Sequence, residues 1–244
     1  SYTLKQNVFV TSTLLEWAKS HNVKRVIFSS SSSVMGGGDG VPKSPYGLQK
    51  LMSEMECRLF SELYGLDTVC LRYFNAYSED QPFGGAYSTA ICAWMEMIRQ
   101  NKPLRIDGDG EQTRDFIYVT DVANAIVQSI NEKNNEGKIY ELGGPKIISF
   151  GSMVKSILST INKKRLVISM PMPLAKIQSS ITDLFPFPPI LTRDQCEILT
   201  EADNVVSNKH LSLKDLKIEP KDVEEAMKKW LWRYREGGQF AKAK

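Results

Sequence analysis

Tyr46 and Lys50 stand four residues apart in Ser44-Pro45-Tyr46-Gly47-Leu48-Gln49-Lys50. On a helix that spacing puts both side chains on one face, one turn apart. Ahead of them an apolar stretch, Val26-Ile27-Phe28, runs into five serines, Ser29 to Ser33. A serine hydroxyl at the end of such a strand can meet the phenol and the amine. Together the three groups can hold an alcohol or sugar hydroxyl and take its proton. A free Tyr, with a pKa near about 10, is a poor base at neutral pH, and a neighbouring cation favours its phenolate. Tyr-x-x-x-Lys alone arises by chance in roughly one of every two or three chains of this length. The surrounding pattern must therefore decide between this chemistry and a surface helix pair.

The elements that would position the trio are legible. Val23 to Phe28 is short and Val/Ile-rich and reads as a buried strand, ended by the serine run. Pro45 suits the first turn of a helix. Leu51, Met55, Leu59 and Leu63 continue that helix at apolar spacing, and Gly65 stops it. Thr68 to Tyr73 reads as the next strand. Strand, helix, strand in this order implies a parallel sheet with right-handed crossovers. The chain opens on a helical apolar pattern that runs from Asn7 to Asn22. Further helices are expected over Ser88 to Gln100, with Ile91, Trp94, Met95 and Ile98 inward, over Val119 to Asn131, and over Phe150 to Ile161. Strands are expected at Lys138 to Leu142 and Leu166 to Ile168. Ser78 to Gly85 reads as loop, and Pro171, Pro173, Pro186, Pro188 and Pro189 break up a helix-prone segment. The basic and aromatic run Lys228 to Arg235 reads as a closing helix with buried Trp and snorkelling Lys and Arg.

Composition narrows the function classes. At 244 residues the chain makes one domain, or one domain plus a lobe, and 42% apolar content permits a real core. A net charge of +3 argues against nucleic-acid binding through a broad basic surface. Cys57, Cys70, Cys92 and Cys196 are scattered without a Cys-x-x-Cys, which reads as reduced thiols in the cytoplasm. His21 and His210 are the only histidines and cannot build a multi-His metal site, so no metal is expected. No apolar run is long enough to span a bilayer, and no signal peptide is visible.

Several blocks, in order, resemble the extended short-chain dehydrogenase/reductase family, and within it the nucleotide-sugar epimerases of the UDP-glucose 4-epimerase type. They are Lys24 to Ser31, Ser44 to Lys50, Leu71-Arg72-Tyr73-Phe74-Asn75, and Gly108 to Val119 followed by Asp121-Val122. The resemblance covers about Asn7 to Gly144. It implies an α/β, Rossmann-like doubly wound parallel sheet with a smaller substrate lobe. It also implies NAD as cofactor, with NADP not excluded, and a nucleotide-diphosphate sugar as substrate. By the same resemblance Ser31, Tyr46 and Lys50 are catalytic, with Ser33 a second choice for the hydroxyl. Ser29, Tyr46, Lys50 and Phe74 would lie on the cofactor side; Ser33, Asn75, Thr89 and Arg114 on the substrate side. Arg114 also suits that role on its own chemistry, since a guanidinium binds phosphate bidentately. Glu111 and Asp115 are expected to be structural. Relatives also suggest a homodimer through helices beside the sheet.

The chain departs from that family in ways that shape the expectation. The Gly-rich dinucleotide fingerprint between a first strand and first helix is absent, and Gly36-Gly37-Gly38 does not replace it. The chain therefore reads as the C-terminal portion of a longer protein, or as an unusual truncated relative. Met35 and Asp107 stand where relatives often carry aromatic residues, and the late Arg-x-Gly-Asp/Glu phosphate motif is missing. Leu191 to Gln195, Asp203 to Val206 and Tyr234 to Phe240 resemble another branch, allied to the nucleotide-binding accessory subunit of respiratory complex I. The expected division is a partial dinucleotide-binding domain over 1–75, a substrate-lobe segment over 76–115, a return over 116–150 and a C-terminal lobe over 151–244. The expected activity is epimerisation at C4 through a transient ketone. The alternatives are a non-catalytic NAD(P)-binding subunit, or a nucleotide-sugar dehydratase or reductase. Ser32 and Ser33 stand where a dehydratase would carry neighbouring acids.

Overall fold

The computed structural model describes residues 2–36, 39–81, 89–182, 196, 199 and 203–240. Gly37 and Gly38, residues 82–88, Pro186, Pro188, Pro189 and the motif 191–195 lie outside the described residues.

The chain begins with α1 (Tyr2–Leu4), which passes through a π turn (Lys5–Phe9) into α2 (Val10–Ser20). β1 (Val26–Ser31), α3 (Pro45–Tyr64) and β2 (Thr68–Tyr73) follow. Then come α4 (Ala90–Arg99), β3 (Leu104–Asp107), β4 (Thr113–Asp115), α5 (Val119–Asn131) and β5 (Lys138–Leu142). The last part holds β6 (Ile147–Ser149), α6 (Phe150–Ile161), β7 (Val167–Met170), α7 (Met172–Thr182), β8 (Leu211–Ser212) and α8 (Val223–Leu231).

The main sheet is parallel throughout, in the order β1-β2-β5-β8. This is the α/β architecture that the strand-helix-strand order predicts. β2 is central and its first five residues are buried, as a strand covered on both faces must be. One apolar cluster, with Val69, Leu71, Tyr140, Leu142 and Ala125, joins the sheet to α5. Another, with Leu15, Ala18, Cys57 and Cys70, joins it to α2 and α3. The second lobe has its own core, in which Trp94 meets Phe150 edge-on and Met153, Met227 and Trp230 are buried. It is framed by α4, α6 and α8, a parallel β3–β7 pair and an antiparallel β4–β6 pair. The closing helix α8 buries Trp230 and leaves Lys228 and Lys229 exposed, while Trp232, just beyond it, stays 51% exposed.

Helix α3 holds the largest surprise. Its apolar spacing marks the helix correctly, yet Met55, Leu59 and Leu63 face outward, together with Leu48 and Met52. Gln49, Ser53, Glu54 and Cys57 face inward. The inward face is polar because its neighbours are polar. Asn7 Nδ2 donates to Gln49 Oε1 at 2.8 Å, Ser53 Oγ donates to Asn7 O at 3.1 Å, and Glu54 faces Arg72 on β2. Hydrogen bonds satisfy that seam and leave the apolar stripe on the surface. Short β3, β4, β6 and β8 have too few residues to show a period, and the sequence patterns miss them.

Candidate active site

Local chemistry fixes the start of α3. Ser44 caps it, accepting from Gly47 N at 3.1 Å, and Pro45 occupies the first turn. Gly65, at φ 67°, ends it in the left-handed conformation. Between these ends Tyr46 and Lys50 project toward the end of β1. There the chain turns through a 3-10 helix (Ser32–Met35), whose cap is Ser31. Gly47 lets the two segments touch, because a Cβ there would lie 2.4 Å from Ser33 O.

The alternation of a strand sorts the serines. Ser31 faces the site: its Oγ lies 2.9 Å from Ser33 Oγ and accepts from Ser33 N at 3.2 Å, and its hydroxyl acts to lower the Tyr46 phenol. Ser30 turns the other way and donates to Glu54. Ser29 is exposed, with its Oγ 2.8 Å from Tyr73 OH, and its carbonyl accepts from Lys50 Nζ at 2.9 Å. The Lys50 amine also sits 4.8 Å from the Phe28 ring centroid and 5.8 Å from that of Tyr46. Ser29, Ser31, Ser33, Tyr46 and Lys50 are thus brought together, and Tyr46 remains 46% exposed and reachable from outside.

Electrostatics here are set by burial. Partial burial pushes the Tyr46 phenol above its ordinary value, and the Ser31 hydrogen bond opposes this. Partial burial likewise lowers the Lys50 amine. Within the chain alone, then, desolvation outweighs the help that Lys50 would give a phenolate, and a further positive charge is needed to make Tyr46 a base at neutral pH.

Behind the trio lies a buried ionic cluster. Arg72 donates to both Glu54 oxygens, at 2.9 and 2.7 Å, and to Glu141 at 3.2 Å. Burial alone would lower the guanidinium, but the two carboxylates outweigh it and raise it. Sequence inspection missed this cluster. Its one signal was a charge inside an otherwise apolar strand, which must find a partner.

The remaining expected residues are placed differently. Phe74 is fully buried against Val34 and Met35 and offers no face to a ligand. Asn75, at φ 39°, donates its amide to Asp115 O at 2.8 Å and to Asn204 Oδ1 at 3.1 Å. Thr89 caps α4, accepting from Cys92 N at 3.5 Å, and donates to Gln81 at 3.3 Å. Arg114 is 3% exposed, donates to Thr113 O at 2.7 Å and lies 5.0 Å over the Phe150 ring. Burial pulls it down to about 10, with Asp203 opposing. Asp115 is pushed up to about 6 by burial, against hydrogen bonds from the Gly144 and Val206 amides. Of these, Asn75 is tied to the serine turn, through Asn204 and Ser32.

Residues 1–143 match the sequence model of the NAD dependent epimerase/dehydratase family. The chain is 36% identical over 157 residues to a putative UDP-glucose 4-epimerase of Methanocaldococcus jannaschii, a match covering 60% of this chain and 50% of that protein. It spans about half the length of the curated relatives it matches. It is also 29% identical over 163 residues to a mitochondrial NADH dehydrogenase alpha-subcomplex subunit 9 of Arabidopsis thaliana, covering 63% of this chain and 40% of that one. Among solved structures, a UDP-N-acetylglucosamine 4-epimerase of Methanobrevibacter ruminantium, in complex with UDP-N-acetylmuramic acid, superposes with a TM-score of 0.72 at 27% identity. That match covers 93% of this chain and 68% of the other. The UDP-glucuronic acid 4-epimerase of Bacillus cereus, bound to UDP-glucuronic acid and NAD, gives 0.63 at 26% identity, covering 92% and 67%.

Proposed function

The chain belongs to the NAD dependent epimerase/dehydratase family, and on that premise we propose that it serves NAD-dependent epimerisation of a nucleotide-diphosphate sugar at C4. The observation that carries this reading is the convergence of Ser31, Tyr46 and Lys50 at the end of β1. The 4-epimerases among its relatives and structural neighbours support the position of the reaction.

The residues at the strand ends suit the nicotinamide–ribose end of the cofactor. The Lys50 ammonium, the Tyr46 phenol and the exposed Ser29 hydroxyl are donors of the kind that ribose hydroxyls take, and NADP would meet the same groups. NAD held by these residues would supply a hydride acceptor for C4 of the sugar and a positive ring that adds the charge Tyr46 lacks. Tyr46 takes the proton of the C4 hydroxyl and gives it back after the ketone has presented its other face. Ser31 donates a hydrogen bond to the C4 oxygen as that oxygen becomes a carbonyl. Ser33, 2.9 Å from Ser31, keeps that hydroxyl aimed. Lys50 is held by the Ser29 carbonyl and favours the phenolate. Asn75, Thr89 and Arg114 are proposed on the nucleotide side, where Arg114 has to leave its Phe150 contact to reach a phosphate. In this reading 1–75 and 116–150 belong to the dinucleotide-binding domain, and 76–115 and 151–244 to the substrate lobe. Four free cysteines among the described residues fit a reducing, cytoplasmic setting. The outward apolar stripe of α3 and the apolar groove of about 540 Å³ beside it, lined by Leu4, Val8, Phe9 and Met52, support a homodimer through α2 and α3.

The test is direct. The chain is incubated with NAD and UDP-glucose or UDP-N-acetylglucosamine, and the C4 proton is followed by NMR. Appearance of the C4 epimer supports the proposal. Tight NAD binding with no turnover supports the second reading instead, a nucleotide-holding accessory subunit, which the Arabidopsis relative favours.

A further inference from the structure

We propose that Asn204 is a positioning residue for the serine turn, and that residues 203–207 form a strap that aims Ser31. The inference rests on the catalytic reading of Ser31 given above.

The strap crosses the ends of several elements. Asp203 accepts from Thr113 N at 2.9 Å, Asn204 N donates to Thr113 O at 3.2 Å, and Asp115 N donates to Asn204 O at 3.0 Å. These bonds fix the backbone of the strap on β4. Val206 packs against the cluster of Val34, Met35 and Phe74, two of which belong to the serine turn. Ser207 gives its amide and its hydroxyl to Glu141, at 2.6 and 3.0 Å. Glu141 in turn meets Arg72, which meets Glu54, which receives Ser30 Oγ.

Asn204 closes the loop of contacts. Its Nδ2 donates to Ser32 Oγ at 3.1 Å while its Oδ1 accepts from Asn75 Nδ2, also at 3.1 Å. Among short side chains an amide alone donates and accepts at once in fixed geometry; a carboxylate cannot donate. Ser31 therefore lies between two anchored neighbours. Ser30 is held from the sheet side by Glu54, and Ser32 from the second lobe by Asn204. Ser31 itself contacts Ser33 and Tyr46. Val34 and Met35 bury the far end of the turn, while the serines at its start carry no apolar side chain, so the hydrogen-bonded anchors on either side set the direction of the Ser31 hydroxyl. The same amide links that turn to Asn75, so the catalytic and the proposed nucleotide-side residues share one hydrogen-bonded frame.

The test is a double-mutant cycle on C4 epimerisation by the full chain, using Asn204→Ala, Ser32→Ala and the double variant, with Tyr46→Phe alongside. Hydrogen exchange of the amides of residues 31–35 is measured on each. The expected result is a kcat loss of about tenfold in each single variant, with KM nearly unchanged. The double variant is expected to be no worse than Asn204→Ala, because that variant already removes the Asn204–Ser32 bond that Ser32→Ala removes, together with the bond to Asn75. Exchange in the turn should quicken in all three. If Tyr46→Phe abolishes turnover while Asn204→Ala leaves kcat unchanged, or if the two losses multiply, the strap does not aim Ser31 and the proposal falls alone. If Tyr46→Phe turns over like wild type, the catalytic reading itself falls, and the role of Asn204 falls with it.

Discussion

Adding one methyl group at Gly47 should separate Tyr46 from Ser31. A Cβ at that position would lie 2.4 Å from Ser33 O, 3.0 Å from Ser33 C and 3.3 Å from the Pro42 Cβ. Ordinary contact begins near 3.4 Å, so one side must retreat by about 1 Å. The obstacle is a backbone carbonyl, which cannot rotate away as a flexible side chain would. Either α3 lifts off the turn and carries Tyr46 with it, or the turn recedes and carries Ser31 and Ser33. Both movements shift the Tyr46 phenol relative to Ser31 by a similar distance. A displacement of that size costs about 10²-fold in rate. The stability effect should be much smaller. Overpacking costs about 1–3 kcal/mol, while replacing a helical Gly by Ala returns up to about 1 kcal/mol. For Gly47→Ala the expectation is therefore a kcat lower by about a hundredfold, with a Tm lower by only a few degrees. The assay is C4 epimerisation followed by NMR, beside a circular-dichroism melt. A variant with wild-type kcat and wild-type Tm would refute the claim that Gly47 sets the distance between helix and turn.

Three further predictions concern the frame around the site. Arg72→Leu leaves Glu54 and Glu141 buried without their cation; unfolding in urea should show a loss of about 3–5 kcal/mol, and a loss below about 1 kcal/mol would contradict the pairing. Asp115 has its carboxyl raised from 3.8 to about 6 by burial, so its favourable contribution is present below about pH 4 and lost as pH rises through about 6. At about 1.4 kcal/mol per tenfold, Asp115→Asn should gain roughly 2 kcal/mol relative to wild type between pH 4 and pH 7 in urea titrations; an unchanged difference would refute the shift. Leu59→Glu places a charge in the outward stripe of α3, where Leu59 is 44% exposed. Sedimentation should show a dimer for wild type and a monomer for the variant, with Tm nearly unchanged, whereas a wild-type monomer would remove that interface.

Much of this arrangement is legible in the sequence, because the relevant signals are local. Ser44-Pro45 and Gly65 mark both ends of α3, and a spacing of four residues places Lys50 one turn beyond Tyr46. The serine register was not legible, because five identical residues carry no phase. The structure resolves it through partners: Glu54 draws Ser30 to one side of β1 and leaves Ser31 toward Tyr46. The outward face of α3 was hidden for a related reason. Spacing shows that residues share a face but not what the face meets, and here the sheet side presents Arg72 and the helix side Asn7. Asn204 lies 172 positions from Ser32, and no pattern along the chain announces such a contact. The internal partners of Arg114 and Asn75 were not legible either: Arg114 bonds Thr113 O, and Asn75 bonds Asp115 O and Asn204 Oδ1.

The central claim is that the Tyr46 phenol moves the proton of the sugar C4 hydroxyl. Tyr46→Phe keeps the ring, the helix and the Lys50 amine beside it, and removes only the phenol oxygen. Turnover of wild type and variant should be compared under the same NAD and UDP-sugar concentrations, with bound NAD and Tm measured on both. The expected kcat is at least about 10²-fold lower, with NAD binding and Tm nearly unchanged. Turnover equal to that of wild type would contradict the claim.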